Sequence, residues 1–170
     1  MNSCTAITAL ILLVLTNLAT IISFATPYWL ETTEDTRGLW ATCKDQKCEW
    51  VFESSDYRVE DEDYIIATQG LMSVGLAVCL VALMVATLAL CCQCTSCNHG
   101  GFVAGLLITA FLSIGIGTAV YGIKSSKDVN AKISFGDNSH FGWSFWVAVG
   151  AAGMAMLTSL IYGCSSRNTD

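Results

Sequence analysis

Three long stretches of the chain, residues 1–30, 64–123 and 138–166, contain no Asp, Glu, Lys or Arg. A helix needs about 20 apolar residues to cross the hydrocarbon core of a bilayer. The stretches therefore have room for one, two and one spans. The middle one must turn back on itself, and its polar, glycine-bearing break is 93–101 (QCTSCNHGG). Spans are predicted at residues 6–25, 65–92, 102–123 and 141–164, within a single domain covering 1–170. These segments are apolar all round, unlike the amphipathic helices of a soluble bundle. They also lack the alternation of a membrane β-barrel. Backbone groups in lipid must be satisfied within the segment, which a helix achieves. The rival for the first span is a cleaved signal sequence, since Ser23 and Ala25 fit the small-residue pattern of a cleavage site. No basic residue precedes the run, however, and it is longer than a signal core, so the span is expected to stay.

Two longer connections remain, at 26–64 and 124–140. In the first, Trp29, Trp40, Trp50, Phe52, Tyr57 and Tyr64 alternate with polar residues, which predicts short strands with one packed face. Pro27 ends the first helix. Tyr28 and Trp29, like Trp143 and Trp146 of the fourth span, stand where interfacial aromatics anchor a helix. Cys43 and Cys48 (CKDQKC) flank four polar residues between Leu39-Trp40 and Trp50-Val51-Phe52, the pattern of a β-hairpin. A cross-strand pair there meets the distance a disulfide needs, and closing so short a loop contributes about 2 kcal/mol. The alternative is two free thiols in a reducing compartment.

Charge bears on orientation. The net charge is −6, and residues 31–63 hold 11 acids against 4 bases, net −7, while 124–137 is net +1. Seven of the eight Lys and Arg lie in the two connections, with Arg167 alone on the other side. Taken literally, the positive-inside rule puts the connections in the cytoplasm. A Cys43–Cys48 disulfide requires an oxidising compartment and puts them outside, and the outside reading is preferred. No basic stripe points to nucleic acid. The acids Glu60, Asp61, Glu62 and Asp63 favour the positive end of the second helix. With Glu31, Glu34 and Asp35 they are also candidates for attracting cations along an outer path. Their spacing is not that of an EF-type calcium loop.

The other cysteines gather on the opposite side. Cys91, Cys92, Cys94 and Cys97 crowd the break after the second span, and Cys164 closes the fourth. Juxtamembrane cysteines of this kind are candidates for reversible palmitoylation. Inert thiols are the alternative. A metal reading of the two C-x-x-C steps with His99 lacks the second paired element of zinc folds, so no metal is expected. No serine–base–acid set or phosphate loop is present, so neither enzymatic activity nor a cofactor is expected. Gly101 and Gly105 (G-x-x-x-G), Gly115, Gly117, Ala119, Ala148, Ala152 and Ala155 predict close helix packing, within one bundle before between molecules. Asn17, mid-span, requires a hydrogen bond across helices.

Trp29, then Gly38-Leu39-Trp40, then Cys43 and Cys48 follow the order W…GLW…C…C. Over nearly its whole length the chain resembles the claudin, peripheral myelin protein and epithelial membrane protein superfamily. His99-Gly100-Gly101 opening the third span and Phe141-Gly142-Trp143-Ser144-Phe145 opening the fourth are similar too. The resemblance implies a mainly α membrane protein: a left-handed four-transmembrane-helix bundle with a small extracellular antiparallel β-sheet. Most strands would come from the first connection and one from near Lys132 to Phe135. Trp29, Gly38, Leu39 and Trp40 would hold the sheet onto the bundle. It further implies self-association in cis and in trans at plasma-membrane cell–cell junctions, with cytoplasmic termini, sealing the intercellular space or leaving ion-selective pores.

This chain differs from claudins in four places. The stretch from Trp29 to Gly38 is shorter. Gln69 stands where claudins usually carry an arginine. Glu60, Asp61, Glu62 and Asp63 replace a short amphipathic helix. The sequence ends Asn168-Thr169-Asp170, so no PDZ scaffold is expected there. A second function class is an accessory subunit of another membrane protein, as in the related calcium-channel gamma and glutamate-receptor regulatory subunits, to which 56–64 (DYRVEDEDY) is somewhat similar. Fold analogy does not choose between the two.

Overall fold

Helices α1 (Ser3–Ala25), α2 (Asp63–Cys92), α3 (His99–Ser134) and α4 (Trp143–Arg167) carry most of the chain. The structure is a computed structural model that describes residues 3–33, 35–44, 47–50, 63–92, 99–134 and 140–167. All four helices are long and apolar enough to cross a membrane, through Thr5–Ala25, Asp63–Cys91, His99–Lys127 and Trp143–Ser165. Each packs against two neighbours, closing a ring in the order α1, α2, α3, α4.

The interior is smaller and more polar than the exterior. On α1 the buried positions are Ala6, Ala9, Leu13, Thr16, Asn17, Thr20 and Ser23, while Ile7, Ile11, Leu15, Leu18 and Ile22 face outward. Buried positions on α2 (Ile65, Thr68, Met72, Cys79, Ala82, Ala86) advance in steps of three and four or their multiples, and those on α4 (Ser144 and Phe145, Ala148, Ala151 and Ala152, Ala155, Thr158 and Ser159, Tyr162) form a wider stripe with the same seven-residue repeat. A buried seam with a mean repeat of about 3.5 residues is what a left-handed supercoil requires. Small residues let the backbones approach where lipid supplies no hydrophobic drive.

Every seam of the ring is pinned by a side-chain hydrogen bond. Asn17 Nδ2 donates to the Cys79 carbonyl at 3.3 Å, joining α1 to α2 as expected of a mid-span amide. The Thr68 hydroxyl, which donates to the Tyr64 carbonyl of its own helix at 2.8 Å, also reaches the Gly117 carbonyl at 3.4 Å between α2 and α3. Ser159 Oγ donates to the Ala104 carbonyl at 3.2 Å between α3 and α4. The hydroxyls of Thr26, just beyond α1, and Ser144 of α4 are 2.7 Å apart.

The small residues divide. Gly117, Ala148, Ala152 and Ala155 are buried between helices as predicted, but Gly101, Gly105 and Ala119 are on the outer face. A side chain at Gly105 would meet nothing. The G-x-x-x-G pair is therefore not part of the bundle's interior.

Five short strands form one antiparallel sheet at the end of the bundle where α1 and α3 finish and α2 and α4 begin. They are β1 (Leu30–Glu31), β2 (Asp35–Arg37), β3 (Ala41–Lys44), β4 (Lys47–Trp50) and β5 (His140–Phe141), in spatial order β4-β3-β2-β1-β5. The predicted hairpin is β3–β4, with Cys43 opposite Cys48 and a disulfide between them.

The strand expected near Lys132 to Phe135 is not there. Residues 132–134 are the last turn of α3, and Phe135 lies outside the described residues. Between Lys124 and Ser134 the sequence offers no Gly or Pro to stop a helix; the first glycine comes with Gly136-Asp137-Asn138. Helix α3 consequently runs past the predicted end of its span, by about 16 Å at 1.5 Å per residue. The fifth strand is instead His140–Phe141, so Phe141 belongs to the sheet and the fourth helix begins at Trp143.

Candidate functional site at the sheet end of the bundle

Pro27 stops α1, and the next residues leave the helix directly into the sheet. Trp29 N donates to the Arg37 carbonyl at 2.9 Å, starting the β1–β2 ladder. Its side chain turns back into the bundle and is 0% exposed. The indole N–H donates to the Ser23 carbonyl of α1 at 2.7 Å. The ring meets Tyr121 of α3 edge-on at 5.0 Å and Phe145 of α4 at 5.9 Å. Trp29 is thus a buried clasp joining the sheet to three helices. The interfacial-belt reading is corrected for it, whereas Trp143 and Trp146 are exposed, as that reading expects.

The Gly38-Leu39-Trp40 triplet forms the turn between β2 and β3, closed by Gly38 N donating to the Ala41 carbonyl at 2.9 Å. Its tip points into the helices. Leu39 is buried in the core, and Trp40 packs edge-on against Phe24 of α1 at 5.1 Å. Gly38 lies against the backbone of Pro27 so closely that a Cβ would overlap the Pro27 Cα. Here glycine is required by close approach. Gln69 of α2 donates its Nε2 to the Leu39 carbonyl. Gln69 therefore ties α2 to the turn with a neutral donor, and the clasp engages all four helices.

A second joint fastens α4 and β5, bringing the Phe141-Gly142-Trp143-Ser144-Phe145 motif against Tyr28 and Trp29, a meeting the sequence did not predict. Gly142 N donates to the Trp29 carbonyl at 3.0 Å, and Ser144 N donates to the Tyr28 carbonyl at 3.1 Å. The Tyr28 carbonyl so satisfies one of the free N–H groups at the start of α4. Tyr28 also stacks on Trp143 at 5.7 Å. The signal available in the sequence was the glycine of Phe141-Gly142-Trp143, standing directly before a long apolar run.

The acids sort differently from a uniform negative surface. Glu31 faces His140 across β1 and β5, with Oε2 3.4 Å from Nε2. Asp35 faces Lys44 across β2 and β3, with Oδ1 4.0 Å from Nζ. Pairs of this kind contribute little to stability, about 0–1 kcal/mol, but the Lys44 ammonium partly compensates one of the candidate charges, Asp35. Asp63 is exposed in the first turn of α2, complementing the helix's positive end. Glu34, Glu60, Asp61 and Glu62 lie outside the described residues.

In β4, the end strand among the described residues, all four residues are exposed, Trp50 by 46%. At the far end of the bundle Cys91 and Cys164 are exposed free thiols. The side chain of Cys92, and Cys94 and Cys97 altogether, lie outside the described residues.

Residues 3–162 match the sequence profile of the PMP-22/EMP/MP20/Claudin family. A comparison with curated proteins gives no match.

Proposed function

The chain belongs to the PMP-22/EMP/MP20/Claudin family, and from that premise we propose that it is a structural membrane protein of cell–cell contacts. In this reading the sheet lies outside the cell and forms or regulates a paracellular barrier or ion-selective path. The observation that carries it is the clasp: Trp29 and the Gly38-Leu39-Trp40 turn fix the sheet to the helices. A sheet so held presents its exposed β4 strand and its acids at a fixed height above the membrane, as a surface that meets another cell must.

The net −7 of residues 31–63 sets the expected sign. Fixed charge acts over about 8 Å at physiological salt, so an intercellular path lined by this segment should prefer cations. Expressed in fibroblasts that lack junctions, the protein should gather at contacts and give strands in freeze-fracture images. Across monolayers, dilution potentials should favour sodium over chloride, and neutralising Glu60, Asp61, Glu62 and Asp63 together should shift the ratio toward chloride. Even distribution over free and contacting membrane would overturn the adhesion reading and favour an accessory subunit. A chloride-preferring parent protein would overturn the charge argument.

The same reading puts both termini and the cysteine cluster in the cytoplasm, with the Cys43–Cys48 disulfide outside. Tags at residues 1 and 170 are expected to stain only after permeabilisation. Acyl exchange should detect thioesters that disappear when Cys91, Cys92, Cys94, Cys97 and Cys164 are replaced by serine. The spans already anchor the chain, so lipidation would act on lateral distribution. Staining of intact cells, or an unchanged acylation signal in the variant, would contradict these assignments respectively.

A further inference from the structure

Asn17 of α1 is 3% exposed. Its Nδ2 gives both hydrogens to carbonyls, that of Leu13 in its own helix at 2.9 Å and that of Cys79 in α2 at 3.3 Å. Its Oδ1 is buried as well, and no donor of the protein reaches it. Turning the amide over would set that oxygen against the same two carbonyls, acceptor against acceptor, so the orientation is fixed. Nearby hydroxyls do not supply the missing hydrogen. Thr16, Thr20 and Ser23 on the buried face of α1 each donate to a backbone carbonyl of their own helix. Thr118 of α3 and Thr158 of α4 do the same. This part of the interior therefore holds acceptors in excess of donors. An acceptor left unpaired away from water is costly, and a bilayer offers its backbone and side chains no relief.

We propose that a water molecule sits in the α1–α2 seam and donates to Asn17 Oδ1. Depth selects this occupant. Asn17 stands eight residues before Ala25, the last residue of α1, which is about 12 Å at 1.5 Å per residue. Lipid at that depth is hydrocarbon and carries no donor. A cation would also suit an oxygen-rich site, but residues 1–30, 64–123 and 138–166 contain no acid to neutralise it. An uncompensated charge there is far more costly than a neutral guest. A side chain of another protein does not reach an oxygen closed inside the bundle. Water brings two hydrogens and no charge. Its second hydrogen goes to a hydroxyl oxygen, and Thr20, one turn further along the same buried face, is placed for it. That residue gives its own hydrogen to the Thr16 carbonyl and keeps its lone pairs. Buried waters settle at such otherwise unsatisfied polar groups. The location is apt, since α1 and α2 share the least extensive of the four seams. A bridging water is nearly as good a link as a direct hydrogen bond, and here it would reinforce the single bond from Asn17 to Cys79.

The test is water-edited solid-state NMR on the full chain in lipid nanodiscs, which follows polarisation from water protons to nearby carbons. Labels are placed at Asn17 Cγ and the Cys79 carbonyl, with the carbonyls of Leu107 and Ala148, both 0% exposed, as dry references. The two seam carbons should receive polarisation well before the references. Asn17→Leu exchanges the amide for an apolar side chain of similar size, and the early transfer to the Cys79 carbonyl should be lost. Where that variant does not fold, the parent reading at Asn17 Cγ decides alone. An Asn17 Cγ that fills no sooner than the reference carbonyls would overturn the proposal. Early transfer to Cys79 that survives in Asn17→Leu would overturn it too, because the amide would then not be what holds the water.

Discussion

Alanine at position 29 is expected to release the sheet from the helices and keep the protein from the cell surface. The indole is wholly buried between α1, α3 and α4. Truncating a buried aromatic of this size costs about 3–5 kcal/mol. The change also leaves the Ser23 carbonyl without the indole donor, a loss of about 1 kcal/mol or more in a site closed to water. Against a total stability of about 5–15 kcal/mol, that is a large share. Thermal unfolding in detergent micelles should show a lower and broader transition, and surface biotinylation should fall. Trp29→Phe keeps the ring contacts and loses only the N–H, so its effect should be much smaller. Trp146→Ala removes an exposed ring and should leave both readouts near the parent. A Trp29→Ala protein that unfolds like the parent would contradict the clasp.

Gly142→Ala should be nearly as damaging although it adds one methyl group. The new Cβ would overlap the Tyr28 carbonyl and crowd the Glu31 carboxylate. The backbone has little room to move aside, because the amides of Gly142 and Ser144 are bonded to the Trp29 and Tyr28 carbonyls. Overpacking against backbone costs about 1–3 kcal/mol, and relief by breaking those bonds would detach β5 and uncap α4. Gly150 of α4 provides the internal control, since a Cβ there meets nothing. Gly150→Ala should be neutral or stabilising by up to about 1 kcal/mol through helix propensity. The two variants therefore have opposite expected signs in the same unfolding assay. Equal effects would show that position 142 is not a close-packed joint.

The charge-free stretches determined the four spans, because an unpaired charge in hydrocarbon is too costly to occur by accident. The aromatic alternation and the CKDQKC spacing determined that the first connection forms strands with a hairpin, since these are local properties of a few neighbouring residues. What the sequence left open is which way each apolar face turns. Hydropathy cannot tell Ile11 from Leu13, yet one faces outward and the other is fully buried. The usable signal is the run of small and hydroxyl residues at three- and four-residue steps, legible only once size rather than hydropathy is followed. Nor could local pattern decide between a strand at 132–135 and one at 140–141. No breaker stops α3 in the first stretch, and the second becomes a strand only because Gly142 lets it lie against Tyr28 and the edge of β1. The separation of Trp29 from Trp143 and Trp146, the pairing of Gln69 with Leu39 and the meeting of Glu31 with His140 have the same origin. Each depends on elements distant in the chain arriving at one end of the bundle, and only the packing of the helices brings them there.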